Sequence, residues 1–133
     1  MKVLLDTNVC IEAIRGNERA IQHLRTRSPD DCLISTISLF ELESRALLSK
    51  RPKSELQKLQ LLADTLVVKA FDQNASSEAA AVRSQLDRAG KRIGVYDTLL
   101  AGHALALGIP LVTNNTREFA RVANLALENW ENP

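Results

Sequence analysis

The 133-residue sequence contains only two cysteines, Cys10 and Cys32. Both lie in apolar surroundings and no Cys-x-x-Cys spacing occurs, which argues against a disulfide scaffold or a structural zinc site and leaves reduced, buried thiols. Aromatic residues make up 4% of the chain, too few for an extended base-stacking platform. No run approaches the ~20 apolar residues of a membrane span. The N-terminus has one lysine and three apolar residues before Asp6, too little for the apolar centre of a signal peptide. A cytoplasmic protein with no membrane partner is therefore expected. An excess of one charge is also missing: 17 basic residues face 16 acidic ones, for a net charge of +1. Any nucleic-acid partner must be drawn by local patches or bound metal rather than by the summed field. There is no Gly-rich phosphate loop and no nucleophile elbow that would support a Ser-His-Asp site.

What is present alternates between strand and helix patterns. With 45% hydrophobic residues, the chain suits one domain over residues 1–133 that buries roughly two thirds of its unfolded surface. KVLLD (2–6) reads as a strand buried on both faces. VCIEAIRGN reads as a helix stopping at Gly16, ERAIQHLRTRS as a second helix, and DCLIS (31–35) as another buried strand. ISLFELESRALLSK places Leu39, Leu42, Ala46 and Leu47 on one helical stripe closed by Pro52. A helix over 53–65, a strand LVVKAF (66–71) and an alanine-rich helix stopped by Gly90 follow. VYDTLLAGHALALG is a helix apolar enough to lie inside, IPLVT (109–113) a fourth strand, and NNTREFARV a last short helix. This order implies an α/β three-layer sandwich around a mainly parallel sheet of four to five strands, because parallel neighbours need crossover connections. In such sheets the functional crevice lies beyond the carboxyl ends of the strands.

Asp6 ends the first strand and so points toward that crevice, although Asp-Thr-Asn also suits a helix N-cap. Glu41 lies between Phe40 and Leu42, beside the apolar stripe of its helix, where a solvated boundary position is the competing reading. Asp97 opens an apolar helix, again with capping as the alternative. Thr113 and Asn115 follow the fourth strand, and Glu118 lies one turn further on.

Taken in order, LLDTN, the FEL helix, RIGVYDTLLAGHAL and LVTNNTREF resemble the PIN-domain family, and within it the VapC-type toxins of bacterial toxin–antitoxin pairs, from residue 2 to about residue 130. The resemblance implies a PIN-like sandwich and a metal-dependent endoribonuclease that cuts structured RNA, transfer RNA foremost, leaving a 5′-phosphate and a 3′-hydroxyl. It implies Asp6, Glu41 and Asp97 as the catalytic, metal-binding acids, Asn8 and Thr113 as residues orienting them, and Asn115 and Glu118 as auxiliaries. Crowded carboxylates repel unless a cation sits among them. All-oxygen donors suit Mg2+, or Mn2+, rather than zinc. A water activated by that ion would attack the phosphorus in line with the leaving 3′-oxygen.

Many relatives carry a fourth aspartate where this chain has Asn115, so one firm metal and a second that joins with substrate are expected. Glu118 either assists through water or pairs with Arg117 or Arg121. The resemblance also implies a VapB-type antitoxin over the crevice, met near Ile11, Ile14 and Ile21, and a homodimer.

Arg83, Arg88, Lys91 and Arg92 precede Asp97 and are the first choice for phosphate contacts, with Arg25, Arg27 and Lys50 behind them; a solvated face is the alternative. His23 is expected on the surface, His103 packed or hydrogen-bonded, and Tyr96 and Trp130 packed rather than stacked on a base. A phosphatase or receiver site would need a second acid beside Asp6 and a lysine after IPLVT, and has neither. A non-catalytic PIN-like binding module remains as the rival reading.

Overall fold

A computed structural model describes residues 1–131. Three residues, Val3–Leu5, form β1 at the centre of a five-stranded sheet of order β3-β2-β1-β4-β5, with β2 at Cys32–Ser35, β3 at Val67–Lys69, β4 at Leu111–Val112 and β5 at Leu127–Glu128. All neighbours are parallel; Leu4 pairs with Leu33 on one side and Leu111 on the other.

The period-2 alternation of β1 assigns its side chains to two cores. Val3 and Leu5 join Val9, Ile34, Leu42, Leu59 and Trp130 on one face. That face is covered by α1 (Thr7–Ile14), α3 (Thr36–Leu48) and α4 (Pro52–Thr65), with α2 (Glu18–Thr26) beside them. Leu4 joins Leu33, Val82, Leu86, Ala101, Ala104 and Phe119 on the other face. There α5 (Gln73–Arg88) and α6 (Val95–Leu107) pack, followed by the one-turn α7 (Thr116–Phe119). The result is the expected three-layer α/β sandwich.

The chain runs from β1 outward to β2 and β3, then returns to place β4 on the opposite flank of β1. The order therefore reverses between β1 and β4, and a crevice opens there beyond their carboxyl ends. Asp6 follows β1 and Thr113 follows β4, with the Asp6 amide donating to the Val112 carbonyl at 3.0 Å. Both functional candidates are thus placed by the sheet itself.

Several expectations need correction. The fifth strand lies in ALENW, where two residues paired with β4 are too few to show an alternating pattern. The helix expected over NNTREFARV is only four residues long. Pro52 starts α4 at a position whose missing amide proton costs nothing, while α3 has already ended at Leu48. Leu47, assigned to the buried stripe, is 62% exposed because α3 turns that side away from the sheet. Among the described residues no helix is long and apolar enough to cross a membrane.

The α5–α6 contact is close because Gly102 carries no side chain: a Cβ there would lie 2.4 Å from the Ala79 backbone. Gly102→Ala is expected to lower stability by about 2 kcal/mol or more through overpacking. Urea unfolding checks this, and a wild-type midpoint for the variant would mean the two helices separate freely.

Candidate active site

Asp6 is 3% exposed, and its Oδ1 accepts the Val9 amide at 2.8 Å, so it does cap α1 while facing the crevice. The capping and functional readings are therefore compatible. A second support comes from β4. The Asn115 amide donates to Thr113 Oγ1 at 3.0 Å, and the Thr113 hydroxyl bonds Asp6. Burial nevertheless pushes the Asp6 carboxyl above its ordinary range, with Glu41 adding to the rise; the bonds from Thr113 and the Val9 and Asn8 amides oppose it. Asn8 contributes through its backbone: its side chain is exposed and makes no hydrogen bond among the described residues, which corrects the orienting role expected for it.

Glu41 is held from α1. Thr7 Oγ1 donates to Glu41 Oε1 at 2.7 Å and lies 2.9 Å from Ser38 Oγ. A hydroxyl has one proton, so with Thr7 giving its own to Glu41, Ser38 must donate to Thr7. Neither Thr7 nor Ser38 was singled out from the sequence. The available signal was Ser38 one turn before Glu41, on the face of α3 that carries Leu42.

Asp97 does not cap its helix. Gly94 takes the cap position, leaving Asp97 in the first turn of α6. Among the described residues no donor hydrogen-bonds its carboxylate. Desolvation, then the charges of Asp6, Glu118 and Glu41, push it up to about 6. This mutual influence brings the acids of four separate segments into one electrostatic neighbourhood. Glu118 does not pair with Arg117 or Arg121 among the described residues; its Oε2 accepts Asn115 Nδ2 at 2.8 Å.

As the side chains stand, no group of three acidic, histidine or cysteine residues among the described residues is arranged to hold a metal ion. The donor chemistry still fits a hard dication, because the converging groups are carboxylate oxygens and no lysine or arginine pairs with Asp6, Glu41, Asp97 or Glu118 among the described residues. Nearby Cys10 is fully buried, and its thiol is pushed up by burial first and then by Asp6 and Glu41.

The basic candidates separate. Arg92 grips Asp87 through Nε at 2.6 Å and Nη2 at 3.2 Å, and Arg83 lies 3.8 Å from the same carboxylate. Arg88 and Lys91 are exposed without an ion pair among the described residues, as are Arg25 and Lys50. Arg27 instead pairs with Glu128 at 2.6 Å beside Trp130. His23, expected on the surface, is half-buried and stacks on Trp130 at 4.9 Å. His103 is 1% exposed and bonds Ser35 Oγ at 2.9 Å, tying α6 to the start of α3. Trp130 packs as expected at 2% exposed, whereas Tyr96, also expected to pack, is 43% exposed.

Folded Asp97 keeps its proton up to about pH 6, against an ordinary value of 3.8. The folded chain thus binds more protons between those values, and stability falls as pH rises through them. In chelator at pH 7.5, Asp97→Asn is expected to be more stable by on the order of 1 kcal/mol after allowing for screening of a half-exposed group. That is about 4 °C in Tm. The gain should vanish at pH 4; a gain that persists there would mean that the buried Asp97 charge, desolvated and repelled by its neighbours, is not its source.

A PIN domain model matches residues 3–125. The chain is 34% identical over 130 residues to the tRNA(fMet)-specific endonuclease VapC of Shigella flexneri, covering 98% of each chain. It is 35% identical over 133 residues to Ribonuclease VapC2 of Rickettsia felis, covering 98% of this chain and 99% of the relative. Among solved structures, it matches a chain of the DNA-bound VapBC crystal structure from Salmonella typhimurium with a TM-score of 0.93 and 34% identity, covering 98% of both chains. Motif order, sheet topology and end-to-end similarity agree, and the chain belongs to the PIN-domain family, in its VapC branch.

Proposed function

We propose that this chain is the toxin of a VapBC-type pair, a cytoplasmic, divalent-metal-dependent endoribonuclease that acts as a homodimer of single PIN domains. The observation that carries the reading is the electrostatic convergence of Asp6, Glu41, Asp97 and Glu118 at the β1–β4 crevice with no basic side chain among them. The names of the similar proteins support RNA as the substrate, with tRNA(fMet) as the first RNA to test.

Asp6, Glu41 and Asp97 are the residues that would hold Mg2+, or Mn2+ in its place, with Asn115 and Glu118 beside them. When bound, the ion supplies charge to a phosphate oxygen and lowers the pKa of a water. The chain does the rest. Thr7 and Ser38 fix the Glu41 rotamer, and Asn115 and Thr113 fix Asp6. Asp97 Oδ, which no donor occupies, takes the proton of the attacking water. Attack in line with the 3′-oxygen breaks its bond to phosphorus, and the departing oxygen takes a proton from bulk water, leaving a 5′-phosphate and a 3′-hydroxyl. Arg88 and Lys91, with Arg83 and Arg92 behind them, hold flanking phosphates without reading bases.

The partner is a VapB-type antitoxin. Its place is the pair of neighbouring grooves, about 330 and 540 Å³, that Ile14 lines together with Ile11 on one side and Ile21 on the other. An apolar segment fits these grooves, and the uncompensated acids favour a basic side chain reaching the crevice.

Purified protein with magnesium is expected to cut a tRNA(fMet) transcript at one site, mapped by sequencing new 5′ ends, and a chelator should abolish the cut. Glu41→Gln and Asp97→Asn should each reduce the rate by about 100-fold or more. Full cleavage by either variant would overturn the assignment. Leu61→Arg, at an exposed position lining the larger groove, should weaken antitoxin binding about tenfold while leaving RNA cleavage intact, as measured by titration calorimetry and the same cleavage assay.

A further inference from the structure

We propose that Phe40 and Tyr96 form a stacking site for an unpaired RNA base next to the scissile phosphate, an inference that rests on the nuclease reading. Most of the chain's aromatic residues are used inside. Phe119 and Trp130 are 1% and 2% exposed, and Phe71 meets His103 edge-on at 5.5 Å. Phe40 and Tyr96 are 55% and 43% exposed and contact each other, with ring centroids 5.9 Å apart and planes tilted by 45°. Among the described residues they are the aromatic residues left in water.

Their placement is specific. Phe40 immediately precedes Glu41 on α3, and Tyr96 immediately precedes Asp97 on α6. Successive helical positions are turned by about 100° from one another, so ring and acid leave each helix on neighbouring sides rather than one; the rings bridge α3 and α6 by direct contact, and the acids one position further on influence each other across the same two helices. The aromatic pair therefore lies on the rim of the site. An apolar protein surface closing over it would also desolvate these carboxylates, which is costly. A nucleotide avoids that cost: its base covers the rings while its phosphate sits toward the acids and their cation. Every base has a π face, so such a site selects for an unstacked nucleotide rather than for one base. It favours loops over duplex, the mode by which single-stranded RNA segments are recognised.

The test uses full-length protein and a tRNA(fMet) hairpin oligonucleotide that spans the mapped cleavage site, intact or with an abasic ribose next to that site. Phe40→Ala/Tyr96→Ala is expected to raise KM on the intact RNA about tenfold or more, with kcat within about twofold. Wild type on the abasic RNA should show the same raised KM, and the double variant should lose nothing further on it. In an Asp97→Asn background, a 2-aminopurine at that position should be quenched on binding, and the quench should disappear when both rings are removed. An unchanged KM, an equal loss on intact and abasic RNA, or retained quenching overturns the proposal. So does a drop in sedimenting mass that accounts for the loss, which would make the pair a contact between copies. Should the double variant fail to fold, Tyr96→Trp and Tyr96→Leu decide: a KM kept by Trp and raised by Leu supports stacking, and equal values refute it. If the wild type cuts no RNA, the nuclease reading fails, while the quenching assay still decides the stacking site.

Discussion

Repulsion between carboxylates is the constraint around which this molecule is arranged. Asp6, Glu41, Asp97 and Glu118 come from four segments, and none is paired with a cation among the described residues. Left to itself, such a group would spread apart or take up protons; Asp6 and Asp97 are shifted upward first by burial, with the neighbouring acids adding to the rise. The acids stay together because their backbones are not free to move. β1 and β4 are adjacent strands buried on both faces, and α3 and α6 are pinned to each other through Ser35 and His103. Burial of the two cores, not any interaction within the site, holds it closed.

The hydrogen-bond donors at the site are neutral. Ser38 and Thr7 serve Glu41, and Asn115 and Thr113 serve Asp6. A hydroxyl or amide can fix a carboxylate's rotamer without cancelling its charge, whereas an arginine would do both. The site therefore keeps its preference for an external cation, as the proposed function requires of it. The exposed aromatic pair on the rim fits this division: orientation and charge come from polar groups inside, and contact area for the ligand comes from apolar groups outside.

Legibility in the sequence tracked the length of the local pattern. β1 and β2 were readable because each is a short apolar run closed by a polar residue, and α6 because its apolar residues continue around the helix up to the left-handed Gly108. Two-residue β5 was not, since pairing with β4 makes it a strand and pairing is not local. Asp6 was legible as a strand-end acid. The uses of Asn8 and Thr7 were not separable: both flank it with suitable groups, and only the direction of α1 places the Thr7 hydroxyl on Glu41 and leaves the Asn8 side chain in water. Tyr96 was misread as packed because a lone tyrosine in an apolar helix gives no sign of which side faces the crevice.

Composition, motif order and periodicity by themselves determined the layer architecture and the family resemblance and named the candidate acids, because these depend on residue type and spacing along one chain. Only the tertiary structure decided which hydroxyl holds which carboxylate, that Glu118 turns to Asn115 rather than to an arginine, and that two aromatic rings meet on the rim. Those outcomes depend on how far apart two helices stand and which way each is rotated. Both are set by the packing of whole faces against the sheet, a property no local stretch of sequence contains.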